Sequence, residues 1–276
     1  MKYVKLPDGT KVPALGQGTW MMGSAHNRAT EVAALKEGIA LGMTLIDTAE
    51  MYGEGAAESC VGEAIKGTPR ESLFLVSKAY PQNASRKALP KVCEASLKRL
   101  GTDYLDLYLL HWRGSVPFAE TIEAMEALQA AGKIRRWGVS NLDTDDMEEW
   151  VAAGGQACTT DQILYNLTRR GPEFDLIPWL RKRQIPIMAY SPVEQGRLLK
   201  NPALIALAQE LGITPAQLGL AWVMRHPDIM VIPKAGHVSH VKENFAALDI
   251  VLDEAVLAKL DELFPAPTRK QHLAIL

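Results

Sequence analysis

Cysteine is scarce. Cys60, Cys93 and Cys158 stand far apart in a chain of 276 residues, which excludes a disulfide scaffold and any metal site built on paired cysteines. No apolar run approaches the ~18 residues that a membrane span needs. The opening MKYVKLPDGT lacks the apolar stretch of a secretory signal. Excess charge is missing too: 30 basic side chains face 32 acidic ones, a net charge of −2, so neither nucleic acid nor an anionic membrane is an expected partner. Internal repeats, linkers and low-complexity stretches are not found. No Walker A sequence occurs, and Gly16-Gln17-Gly18 and Gly53-Glu54-Gly55 each lack the third glycine of a dinucleotide fingerprint. What remains is a cytoplasmic globular chain, expected to be a monomer, and composition alone does not separate an enzyme from a binding protein.

What is present is alternation. Eight short apolar runs lie near Gly16–Trp20, Leu45–Asp47, Leu73–Lys78, Leu105–His111, Ile134–Ser140, Thr160–Leu164, Pro186–Tyr190 and Met230–Pro233. Several are apolar throughout, as strands buried on both faces of a parallel sheet are. Helical patterns separate them, at Ala33–Leu41, Arg86–Leu100, Phe118–Ala131 and Asp143–Ala152 among others. Thr214 before Pro215 marks a helix start, and Gly42 and Gly101 mark stops. Eight β-then-α units predict an α/β fold, a (β/α)8 TIM barrel, as one domain over residues 1–276. An Asp8-Gly9 turn predicts an N-terminal β-hairpin closing the barrel floor, and Asp253–Leu263 predicts an extra C-terminal helix.

Barrels of this kind carry their chemistry at the carboxyl ends of the strands. Here those ends hold Asp47, Lys78, His111, Ser140 with Asn141, Gln162, Tyr190 and Lys234. Each has a plain structural reading: a helix cap, a lysine reaching solvent, a satisfied core histidine. Seven consecutive strands ending in groups that ionise or hydrogen-bond point instead to one converging site. Tyr52 lies five residues past Asp47. A phenol titrates near ~10, and a neighbouring cation lowers that by roughly 1–3 units. Lys78 is placed to supply the cation, Asp47 to hold Lys78, and His111 to orient a carbonyl oxygen. Such a set donates a proton to a carbonyl that receives hydride at carbon, and the hydride must come from a cofactor. Trp20, Tyr80 and Trp112 flank these positions as candidate walls of a substrate pocket, whereas Trp137, Trp150, Trp179 and Trp222 read as packing.

The segments LIDTAEMYG (Leu45–Gly53), VSK (Val76–Lys78), YLLHW (Tyr108–Trp112), GVSN (Gly138–Asn141), AYSP (Ala189–Pro192) and IPKA (Ile232–Ala235) resemble the aldo-keto reductases in order and spacing, over residues 3 to 262. Through GQGTW, LIDTAEMY and GKIRRWGVSNLD the likeness is greatest to bacterial members that reduce methylglyoxal. The resemblance implies catalysis by Asp47, Tyr52, Lys78 and His111. It implies cofactor contacts from Thr19, Ser140, Asn141, Gln162, Tyr190 and Ser191 at the nicotinamide side, and from Lys234, His240, Glu243 and Asn244 at the adenosine side. The implied cofactor is NADPH, with NADH as a second donor, and no metal. Two departures stand out. Ala235 and His240 replace a serine and an arginine that NADPH-preferring relatives carry, and the tail after Leu263 and the loop VEQGRLLKN are short, which predicts an open site. Two other readings share the residues: a Schiff-base lyase using Lys78, and a cofactor-binding regulatory subunit of a membrane channel.

Overall fold

Eight parallel strands stand side by side in sequence order, β3 (Gln17–Gly18), β4 (Leu45–Asp47), β5 (Phe74–Ala79), β6 (Leu107–Leu110), β7 (Trp137–Ser140), β8 (Asp161–Leu164), β9 (Ile187–Tyr190) and β10 (Ile229–Val231). The computed structural model describes residues 1–276. Parallel bridges from Leu15 to Val231 and from Gly18 to Lys234 join the first strand to the last and close the ring. The seam is tight. A Cβ on Gly18 would lie 2.6 Å from the Ile232 carbonyl oxygen, so only glycine lets the two backbones approach there. Each strand overlaps a run seen in the sequence: β4 matches its run, β5 and β10 reach one residue beyond theirs, and the others are trimmed by one to three residues.

Ahead of the ring, β1 (Tyr3–Lys5) and β2 (Lys11–Pro13) pair antiparallel. Gly9 takes a left-handed turn, φ 88°. This hairpin is the predicted floor. Val4, Leu6, Val12 and Ala14 pack inside the ring on Leu45, Phe74, Val76, Leu107, Leu109, Met188, Met230 and Ile232. The Arg136 guanidinium bonds Asp8 at 2.6 Å and Thr10 at 2.7 Å, tying the hairpin to the barrel wall.

The period of two along a strand then places the chemistry. Phe74 and Val76 face inward, so Lys78 does too. Leu107 and Leu109 lead to His111, Leu45 to Asp47, Met188 to Tyr190, and Met230 with Ile232 to Lys234. Each inward series is apolar at the floor and turns polar at the carboxyl end. The opposite faces of the strands meet the outer helices in a second cluster of 63 buried residues.

Helices run outside the strands, from Arg28–Ala40 to Val238–Ala246. Thr144–Ala152 carries a full capping box from Asp143 and Asp146, and Pro215–Val223 one from Thr214 and Gln217. The Arg86–Leu100 pattern shortens to Leu89–Leu100, with Pro90 in its first turn, where a proline costs no hydrogen bond. The extra helix is Glu254–Leu263. Trp137, Trp150 and Trp222 are fully buried, whereas Trp179 is half-buried beneath the Arg183 guanidinium at 3.6 Å. No single helix is long and apolar enough to cross a membrane.

Candidate active site

Lys78 sits at the centre of the mouth, fully buried. Its ammonium donates to Asp47 Oδ2 at 2.8 Å, to the Thr48 carbonyl at 2.9 Å and to Tyr52 Oη at 3.0 Å. An ammonium has three protons, so all are committed. That arrangement speaks against Lys78 as a Schiff-base nucleophile, which would need a free amine open to substrate. Asp47 is fixed from its other side, where Gln162 Nε2 donates to Oδ1 at 2.8 Å. Gly53 and Gly55 take left-handed φ of 59° and 91° immediately after Tyr52. They turn the chain into the helix Ala56–Ala64 and leave the phenol over Lys78.

Burial dominates the titration of this group. It pushes the Asp47 carboxyl up and the Lys78 ammonium down, with the attraction between the two as the main counterweight. Burial, and then the Asp47 charge, raise the Tyr52 phenol well above its ordinary value. The sequence argument, which paired Asp47 with Lys78 but took no account of burial, expected the opposite direction. In the structure Asp47 offsets that cation, and the phenol stays protonated. The His111 imidazole is pushed down to about 2, by burial first and by the Lys78 charge second. It is therefore neutral at neutral pH. Its Nδ1 is buried with no partner, and its ring lies edge-on to Tyr52 with centroids 5.8 Å apart.

A cavity of about 720 Å³ opens above these groups. Asp47, Tyr52 and His111 form its floor. Thr19, Ser140, Asn141, Gln162, Tyr190, Ser191 and Lys234 line it as the sequence anticipated, and most of them are already joined. Asn141 Nδ2 donates to the His111 carbonyl at 3.1 Å, Tyr190 Oη donates to Asn141 Oδ1 at 2.8 Å, and Ser140 Oγ donates to the Gln162 carbonyl at 2.8 Å. Trp20 and Trp112 are walls, Trp20 standing edge-on to Tyr52 at 5.1 Å. Tyr80 is not a wall. It lies behind Trp112, edge-on at 5.8 Å, because the chain turns away after β5.

Lys234 also lines a second cavity, of about 250 Å³, whose walls carry no apolar residue: Asn27, Thr30, Glu31, Gly236, His237 and His240 complete it. His240 is therefore brought to Lys234 as expected. Glu243 and Asn244 line neither cavity. Asn244 is buried in the helix Val238–Ala246, and the Glu243 carbonyl accepts from Gln217 Nε2 at 3.1 Å. Ala235 is half-buried and packs against the core.

Sequence reasoning missed much of the apolar wall: Met21, Met51, Val193, Leu199, Ile275 and Leu276. The tail, expected to leave the site open because it is short, reaches back across the barrel mouth, and its last two residues line the cavity. One signal was available: the tail carries a basic pair, Arg269 and Lys270, shortly before the apolar residues Leu273 to Leu276, and two acidic residues on the barrel hold Lys270.

The model of the aldo/keto reductase family matches residues 14–264. Methylglyoxal reductase YeaE of Escherichia coli (strain K12) is 55% identical over 99% of this chain and 98% of its own. Glyoxal reductase of Bacillus subtilis (strain 168) is 34% identical over 94% of this chain and 92% of its own. Among solved structures, an aldo/keto reductase from Klebsiella pneumoniae, crystallised with NADP and acetate, superposes with a TM-score of 0.96 at 54% identity, covering 100% of this chain and 99% of that one.

Proposed function

The chain belongs to the aldo/keto reductase family, and from that premise we propose that it reduces small activated carbonyls to alcohols with NADPH, with Tyr52 as the proton donor. The substrates in view are α-oxoaldehydes such as methylglyoxal and aromatic aldehydes. One observation carries the reading: a single buried ammonium, Lys78, binds Asp47 and Tyr52 together beneath an apolar cavity.

The residues present fit the cofactor. Ser140, Asn141, Gln162 and Tyr190 stand bonded to one another and to Asp47 at one end of the site, and Lys234 joins that end to a wholly polar cavity suited to an anion. When bound, NADPH supplies the hydride for the carbonyl carbon. Everything else falls to the chain's own side chains. Tyr52, protonated at neutral pH, gives its proton to the carbonyl oxygen as negative charge develops there, since an alkoxide is a far stronger base than a phenolate. Lys78 stays 3.0 Å from the phenol oxygen and stabilises the phenolate left behind. Asp47 and Gln162 keep Lys78 from moving. His111 is neutral and has one N–H. A proton on Nδ1 would find no acceptor, which favours the tautomer that offers Nε2–H to the carbonyl oxygen. Trp20, Trp112 and the methionines exclude water and present apolar surface to the substrate.

The similarity to methylglyoxal and glyoxal reductases supports the substrate class, as does the makeup of the cavity: no arginine lines it, and Asp47 and Lys234 are its only charged side chains. The test is a panel of carbonyls with NADPH and then NADH, followed through the near-ultraviolet absorbance of the reduced cofactor. Methylglyoxal and nitrobenzaldehydes are expected to exceed glucose by a wide margin in kcat/KM. Better turnover of open-chain sugars or steroids would overturn the substrate reading.

A further inference from the structure

The tail after Phe264 has no regular secondary structure, yet it is held firmly at one point. The Lys270 ammonium lies 2.5 Å from Asp143 Oδ1, 2.7 and 3.0 Å from the two Asp175 oxygens and 3.4 Å from Thr144 Oγ1. Three residues on, the Leu273 N–H donates to Asp143 Oδ2 at 3.0 Å. Asp143 also caps the helix Thr144–Ala152 by accepting from the Thr144 N–H at 2.7 Å. That helix begins just past Ser140 and Asn141, so one carboxylate ties the tail to the loop that ends β7. Asp175 comes from the neighbouring unit, immediately before the helix Leu176–Lys182. The cation therefore bridges two barrel units and the tail. Beyond it, Ile275 and Leu276 turn in to line the cavity, although nothing in their own sequence would hold apolar residues there. They are 56% and 44% exposed, too open for burial alone to fix them.

We infer that Lys270 is a specificity-determining positioning residue: its ionic latch to Asp143 and Asp175 sets the apolar outer wall of the pocket and thereby favours bulky apolar carbonyls over small ones. The inference rests on the carbonyl-reductase reading above. Lys270 lines neither cavity, so it acts only through Ile275 and Leu276. On this inference a substrate as small as methylglyoxal makes its contacts at Tyr52 and His111, whereas an aromatic aldehyde extends to the wall formed by Ile275 and Leu276. Contacts of this size change affinity roughly tenfold, the lower end of what one apolar group contributes in a pocket. Because the latch is partly exposed, added salt weakens it.

The experiment compares wild type with Lys270→Met, Lys270→Arg and a chain lacking Ala274–Leu276, on methylglyoxal and on 4-nitrobenzaldehyde, at low and high ionic strength. In Lys270→Met, KM for nitrobenzaldehyde should rise about tenfold with kcat unchanged, while both constants for methylglyoxal stay at wild-type values. The shortened chain should likewise raise KM for nitrobenzaldehyde, Lys270→Arg should keep the wild-type values, and high salt should move wild type toward Lys270→Met. Equal loss on both substrates, or no change on either, would overturn the latch. A wild type inactive on every carbonyl would instead refute the proposed function, so the two failures are distinguishable. Thermal melts of each variant identify any general unfolding. If Lys270→Met melts early, the salt dependence of the wild-type KM for nitrobenzaldehyde carries the test, and the shortened chain, which keeps the latch but lacks the wall, should show no such dependence.

Discussion

The buried pair at the barrel mouth can be taken apart by a double-mutant cycle. Lys78 and Asp47 are 0% and 2% exposed in their side chains and lie 2.8 Å apart. Lys78→Met keeps the length of the stem and deletes the cation, stranding a buried carboxylate that retains only the Gln162 bond. Asp47→Asn keeps an acceptor for Gln162 and strands the ammonium. Breaking a buried pair from one side costs about 3–5 kcal/mol. Each single variant should lose that much in urea unfolding at neutral pH. In a chain of this size it corresponds to a melting temperature lower by roughly 6–20 °C, at about 2–4 °C per kcal/mol. The double variant strands no charge, so it should lose no more than either single one, leaving a coupling energy of several kcal/mol, about the size of one single loss. Activity should not follow stability: Tyr52 has lost its cation in Lys78→Met and in the double variant, and both should be nearly inactive despite the recovered fold. Additive losses in the double variant would show that the two charges are not held as a pair, and active double mutant would remove Lys78 from the chemistry.

Tyr52→Phe should lower turnover at least ~100-fold while cofactor dissociation constants barely move; comparable turnover would exclude Tyr52 as the donor. His240 faces the same polar cavity as Lys234, so His240→Arg should strengthen NADPH relative to NADH by roughly 10- to 100-fold. No gain in the arginine variant would show that residue 240 does not meet the 2′-phosphate. Asp161 is buried in β8 with neither carboxyl oxygen hydrogen-bonded, and burial raises it well above its ordinary value. The unfolded chain ionises first as pH rises past about 4, so stability is lost from there up to the folded value. Asp161→Asn should therefore raise the melting temperature, and more at pH 8 than at pH 5; an equal or smaller gain at the higher pH would refute the argument.

Pattern carried the inner barrel well, because a strand buried on both faces leaves little else for its residues to be. Asp47, Lys78, His111 and Tyr190 could be read as site residues from their place two positions beyond an inward apolar residue. Their electrostatics could not. Lys78 does not lower Tyr52, because the phenol is buried and the Asp47 charge stands beside the same ammonium; the sequence suggested that pairing but not the depth of burial. Tyr80 misled for a related reason: adjacency to Lys78 in the chain says nothing about the turn after β5, which sends it behind Trp112. Glu243 and Asn244 sit one turn along a helix from His240, and helix phase alone does not tell which of its faces meets the cavity. The tail was read by its length, and length does not register that one lysine can fasten it to two carboxylates on the barrel.

The narrow seam at Gly18 also bears on the order of assembly. Its partners, residues 15 to 18 and 231 to 234, are separated by nearly the whole chain, so their pairing carries the largest loop-closure cost in the ring. During synthesis the edge of β3 stays without its neighbour until β10 has been made, and the hairpin of β1 and β2 has a floor to seal only once the ring exists. Lys234, at the seam, borders both cavities. The last joint to form in the barrel is thus also the place where the two halves of the binding site meet.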